Sequence, residues 1–308
     1  MTFSITNAAF EGFRVMRRSP VAVVMWGVTY FVCLALIMIA AGGAVMAVIS
    51  RFGEATDDPA AALSIGGSVI MVYLISIPLS LVAASIIVAA TCRAVLTPKK
   101  PGFFFMRLGG AELRLMGAYL LVALAFIAAM VILFGIFAAI AGGVAVMAGG
   151  GGEPSAVILA LFYPLYFGFI FLYVWVSVRL SLLGPITVAE GRFALGRAWA
   201  ASRGRFWTLL DLAAATIMRW FVLYAAAVTA FCVLMAIGMS VLPNTADMQP
   251  EQMMTTLLPL MVIGGVLLAA FAALQFTVLS TPFAVFYREV VAPTVQPEEE
   301  PGAPDPRY

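Results

Sequence analysis

Asp211 and Arg219 are the two charges in an otherwise apolar run, TLLDLAAATIMRWFVLYAAAVTAFCVLMAIGMSVL. An acid and a base within such a run are what a proton relay or an ion path would use, because charge in hydrocarbon is costly and defaults to a functional role. Their separation of eight positions is a rise of about 12 Å on a helix, too far for a direct pair. Two readings follow. Either each charge meets a partner on another element, or the crossing runs from Phe221 to Leu242 and the earlier part lies near a surface. Little other chemistry is on offer. The chain has no histidine, which removes His-assisted nucleophiles, His metal sites and His proton shuttles. Cys33, Cys92 and Cys232 lie far apart in or beside apolar runs, so they form neither a zinc spacing nor a disulfide framework. No GxxxxGK[ST] phosphate loop occurs. An intramembrane enzyme would need several acids or nucleophiles at one depth, and Asp211 is the one candidate. No catalytic, cofactor-binding or metal-ligating residue is therefore expected, and the chain reads as no enzyme.

The densest cluster of functional side chains is residues 179–207, RLSLLGPITVAEGRFALGRAWAASRGRFW. Five arginines accompany one acid, Glu190. On a helix Leu195, Trp199 and Phe206 share one face, edged by Arg192 and Arg203, with Arg197 and Arg205 elsewhere. An aromatic stripe edged by arginines suits a helix lying in the headgroup layer, its Arg stems snorkelling along apolar surface. Pro185 lacks a backbone donor and is expected to end the preceding span near Gly184-Pro185. A new span then opens near Trp207. Arg192, Arg197, Trp199, Arg203, Arg205 and Trp207 are the candidate lipid or partner interface. Asp211 and Arg219 are the candidate intramembrane polar pair, and Arg179 is expected to be a snorkelling anchor. The blander reading is a plain loop whose arginines only mark one side of the membrane. Nucleic-acid binding fits poorly, since the basic residues are tethered between two spans and carry no reading motif.

Arg179, Pro185, Glu190-Gly191, Ala198-Trp199, Ser202 and Gly204-Arg205-Phe206-Trp207 together resemble a bacterial group of about six helices. It comprises the membrane domain found beside glycerophosphodiester phosphodiesterases and related stand-alone membrane proteins. The specific part covers under a tenth of the chain. The resemblance implies an inner-membrane protein without phosphodiesterase activity, because that chemistry sits in a separate soluble domain with His and acidic metal ligands.

The elements that must position these residues follow from hydropathy. The 308 residues are 64% hydrophobic and 10% charged, with mean hydropathy +1.08. Soluble domains are about 45–50% apolar and about 25% charged, so this chain needs a nonaqueous solvent. A spanning helix takes about 20 apolar residues. Six runs qualify, at 21–50, 64–96, 113–148, 155–188, 207–242 and 254–287. The first run is too long for a signal-peptide core of about 7–15 residues, so it reads as a retained span. The fold class is an all-α polytopic transmembrane bundle with short cytoplasmic interfacial helices. Residues 1–20 form a basic amphipathic segment, 21–290 the six-span domain, and 291–308, rich in Pro and Glu, a disordered tail.

The connectors alternate in charge. One side holds 13 Lys/Arg before the tail, and the other holds Arg51 alone. By the positive-inside rule both termini are cytoplasmic. With 15 Arg against 2 Lys and many Ala and Gly, the composition points to a GC-rich bacterial genome, and the inner membrane is what the resemblance implies. Each outward span follows a basic stretch with large aromatics, FEGFRVMRRSP, PGFFFMRLGGAELR and GRFALGRAWAASRGRFW. This is compatible with a repeated unit of interfacial helix plus hairpin, and equally with flanks that converge under one topological rule. Pro78, Pro164, Pro259 and Pro282 fall in the returning spans, where they either shape a packed bundle or break helices around a site. The expected function is a non-enzymatic envelope or lipid-linked component. Its partners are membrane lipids with anionic headgroups, and a protein partner or second copy. The alternative is a transporter or permease-like subunit.

Overall fold

A computed structural model describes residues 4–51, 59–98, 102–107, 109–147, 156–241 and 250–292. Two short helices, α1 (Ile5–Ala9) and α2 (Glu11–Arg18), precede α3 (Pro20–Arg51), α4 (Pro59–Leu96), α5 (Gly110–Met147) and α6 (Ala156–Leu180). Two more short helices, α7 (Leu183–Glu190) and α8 (Leu195–Ala201), lead to α9 (Phe206–Val241) and α10 (Pro250–Phe286), which closes in a π-helical turn, Tyr287–Val291. No strand occurs among the described residues. The six long helices are apolar and long enough to cross a membrane, so the chain is an all-α, multi-pass membrane protein. Pro78, Pro164, Pro259 and Pro282 all lie inside helices. The GGGG run at 149–152 and the acidic loops around 52–58 and 242–249 lie outside the described residues, as does the tail from 293. Val291, expected in that tail, is instead buried in the closing turn.

The fourth span ends earlier than expected, at Leu180. The break falls at Ser181-Leu182 rather than at Gly184-Pro185. A proline ring collides with the carbonyl four residues upstream, and for Pro185 that residue is Ser181. Turning the chain there puts Pro185 in the first turn of α7, where proline is tolerated. Ser181 settles the turn by donating its hydroxyl to the Val178 carbonyl at 2.8 Å.

The spans pack unevenly along their length. α4 has 38 residues, a rise of about 57 Å, against a hydrocarbon layer of about 30 Å. The long helices must therefore project. α3 packs on α4 and α10, α4 on α5 and α10, α9 on α10, and α6 touches α5 and α9. Toward the ends far from the arginines, Ile39, Ile70, Val131, Tyr163 and Ile237 are exposed, as apolar solvent allows. The buried core lies at the arginine-rich end, around Ile87, Leu115, Leu182, Ile186, Leu209, Leu212 and Phe286. α7 fills the middle of that end, packed against α4, α5, α8 and α10. Its residues 183–187 are all buried, which fits its lack of a polar face. Gly184 allows the approach, since a Cβ there would stand 3.1 Å from Val88 Cγ1.

One buried ion pair organises the α4–α5 junction. The Arg93 guanidinium donates to the Glu112 carboxylate, whose side chain is 4% exposed. The other Glu112 oxygen accepts the Gly109 amide at 3.1 Å, capping the start of α5 from its third residue. Arg93 also donates to the Phe105 carbonyl at 3.1 Å, and Trp26, fully buried in α3, donates Nε1 to the Phe104 carbonyl at 3.0 Å. These bonds hold Phe104 and Phe105 at φ +52° and +62°. That region is unfavourable for bulky side chains by about 1–3 kcal/mol each and persists when the surroundings over-determine it.

Removing one partner of a buried pair leaves an uncompensated charge, at a cost of about 3–5 kcal/mol. Glu112→Ala is therefore expected to lower the unfolding midpoint in detergent sharply. Arg93→Met combined with Glu112→Leu should recover part of the loss, because no buried charge is left, but not all of it, because the Phe105 carbonyl and the Gly109 amide lose their partners. A single variant as stable as wild type would contradict this role.

Candidate functional site

The arginines enter the basic end from separate parts of the chain. In α2, Glu11 is 7% exposed and accepts from Arg14 at 3.1 Å and Arg18 at 3.4 Å. Gly12 and Val15 are buried while Arg14, Arg17 and Arg18 face outward. The inward face crosses α10 closely, because a Cβ on Gly12 would lie 3.1 Å from Val278 Cα and 3.0 Å from Thr281 Oγ1. The segment at 1–20 is thus amphipathic where it is described, but its apolar face is spent on α10.

Asp211 and Arg219 do not meet. Asp211 is exposed and makes no ion pair among the described residues. The Arg219 guanidinium lies 4.4 Å from the centre of the Phe10 ring, which joins α1 to α2, and donates to the Ala215 carbonyl at 2.9 Å. The Phe10 contact is a cation–π interaction, so the partner on another element is an aromatic ring rather than an acid.

In the 179–207 stretch Glu190 gathers two of the arginines. Its carboxylate accepts from Arg192 Nε at 2.8 Å and Arg197 Nη2 at 2.9 Å. Gly191 adopts φ +62° to end α7, and Arg114 from α5 donates to its carbonyl. Gly204, at φ +74°, ends the turn after α8. This corrects the expected stripe of Leu195, Trp199 and Phe206 on one helix. α8 stops at Ala201, Phe206 opens α9, and Leu195 and Phe206 pack on the core beside buried Ala194 and Ala198. The aromatics left exposed are Phe193 and Trp207, the latter 73% exposed. Arg17, Arg107, Arg203 and Arg205 make no ion pair among the described residues.

Trp199 instead joins a cluster that sequence reasoning missed. It meets Trp175 of α6 edge to face at 5.2 Å. The Arg179 guanidinium lies 4.9 Å from the Trp175 ring and 5.0 Å from the Trp199 ring. The i, i+4 spacing of Trp175 and Arg179 was visible in the sequence, but the approach of Trp199 depends on the turn at Ser181-Leu182. Arg93, Glu112 and Trp26 were equally unmarked, because Arg93 and Glu112 pair across 19 positions and Trp26 reaches Phe104 across 78.

Helix lengths relate these arginines. From Ala156 to Arg179 the rise is about 35 Å, and from Arg219 to Val241 about 33 Å. Each is close to one hydrocarbon thickness of about 30 Å. Comparisons with protein-family models, curated proteins and solved structures find no match to this chain.

Trp199→Ala removes an edge-to-face pair and one wall around Arg179. Faster hydrogen exchange is expected in 183–201, with α3 and α10 unchanged. Unaltered exchange in that segment would show that Trp199 does not hold α8.

Proposed function

We propose that this protein is a non-enzymatic integral component of the bacterial inner membrane, envelope- or lipid-linked. Its termini and basic end are cytoplasmic, and that end engages anionic headgroups. The observation that carries the reading is the convergence of arginines from α2, α5, α6, α8 and α9 at one end of the bundle, beside Phe10, Phe193, Trp199 and Trp207. With the headgroup layer level with Arg179 and Arg219, the uncharged lengths of α6 and α9 cross the hydrocarbon. Asp211 then sits on the aqueous side, which removes the need for an intramembrane acid. The likeness of residues 179–207 to membrane domains of phosphodiesterase-linked proteins agrees with this reading and brings no catalytic residue.

A transporter reading draws less support. The clefts between α5 and α6 are lined by Phe126, Ile127, Met130, Phe134, Phe169 and Tyr173 among others, with no ionisable group but tyrosine. α7 closes the middle of the basic end.

Basic residues near an anionic surface contribute about 1 kcal/mol each. Replacing Arg17, Arg107, Arg203 and Arg205 by Gln is expected to weaken association of the reconstituted protein with phosphatidylglycerol, relative to phosphatidylcholine, by at least about tenfold. Glu190→Gln frees Arg192 and Arg197 and should strengthen it. Unchanged lipid preference in both variants, with correct insertion, would overturn the reading. A periplasmic C-terminal reporter would overturn the orientation.

A further inference from the structure

Arg179 differs from the other arginines of the basic end. It is half-buried, as are Arg93, Arg205 and Arg219, while Arg17, Arg107 and Arg203 are exposed, and it is the one described arginine with a buried, unpartnered nitrogen. Its Nε is buried without an acceptor. Its terminal nitrogens also make no hydrogen bond or ion pair among the described residues, yet they are not enclosed. The two indoles flank the guanidinium and offer its charge π density, but no hydrogen-bond acceptor. A buried or half-buried cation normally has a counter-charge. Among the described residues none is supplied.

We propose that Arg179, gripped by Trp175 and Trp199, is a discrete binding site for the phosphate of a phospholipid headgroup. The inference deepens the lipid-surface reading and rests on it. Arg179 lies in the last turn of α6, one hydrocarbon thickness from the start of that helix. The acceptors at that depth are phosphodiester and ester oxygens of lipid. Two open Nη donors on a guanidinium flanked by two rings match two oxygens of one phosphate, which a lysine ammonium would not. Trp175, a turn further into the bilayer, flanks the glycerol region as interfacial tryptophans do. Arg203 and Arg205, by contrast, act through surface potential and have no such frame.

The test uses the intact wild-type chain in detergent, with phenylglyoxal to modify accessible arginines and peptide mass spectrometry to read residue 179. Dioctanoyl phosphatidylglycerol is expected to slow modification of Arg179 several-fold. Dioctanoylglycerol and inorganic phosphate at the same concentration should not. Absence of protection by the phospholipid would overturn the site. Equal protection by dioctanoylglycerol would show apolar shielding without phosphate recognition. Protection by inorganic phosphate alone would overturn the assignment to a lipid headgroup and favour a soluble phosphate.

A second arm measures phosphatidylglycerol affinity by native mass spectrometry. Arg179→Lys keeps the charge and loses the fork, so affinity should fall at least about tenfold. Wild-type affinity in that variant would also overturn the site. If neutralising Arg17, Arg107, Arg203 and Arg205 abolishes lipid preference while Arg179→Lys does nothing, the general reading stands and this site fails.

Discussion

The Arg93–Glu112 pair is the interaction on which the basic end depends. It joins the end of α4 to the start of α5, caps α5, and holds the carbonyl of Phe105. Trp26 completes the junction from α3 through Phe104. Three spans are thereby fixed at one end by polar contacts within an apolar core. Neither charge could sit there alone, because each would be desolvated without compensation. With Trp26 they tie Phe104 and Phe105, between the two spans, to α3, α4 and α5. α7 then packs against α4, α5 and α10, and α8 follows onto α6.

This gives the molecule two distinct regions. At the basic end the helices are bound by side-chain interdigitation, ion pairs and aromatic contacts. Toward the far end the same helices expose large apolar residues. That asymmetry is physically reasonable for a membrane solvent. Lipid tails satisfy apolar side chains, so little drives the distal halves together. Water and headgroups do not, so the projecting halves must build a core of their own.

The six spans were legible in the sequence because lipid exposure writes itself as long uncharged runs, and five of the six boundaries needed little change. The fourth did not follow hydropathy. Residues 182–187 are mostly apolar, but they are buried in protein at the start of α7 rather than continuing the span, and composition does not separate those two environments. The aromatic stripe failed for a related reason. Leu195, Trp199 and Phe206 have helical spacing, yet Gly204 takes a left-handed conformation and divides them. At the candidate site, residue types were readable and pairings were not. Glu190 with Arg192 is local and was close to hand. Arg179 with Trp199, and Arg219 with Phe10, are tertiary contacts with no trace in spacing.

The central claim is that the headgroup layer on the side of the chain's basic end lies level with Arg179 and Arg219. Electron cryomicroscopy of the full chain in phosphatidylglycerol nanodiscs measures this directly, because the phosphate layer is visible against the helices. The account predicts phosphate density at the level of Arg179, Arg219 and Arg18, with α7 and α8 on its aqueous side. A phosphate layer beyond α8, leaving Arg179 and Arg219 within hydrocarbon, would contradict it.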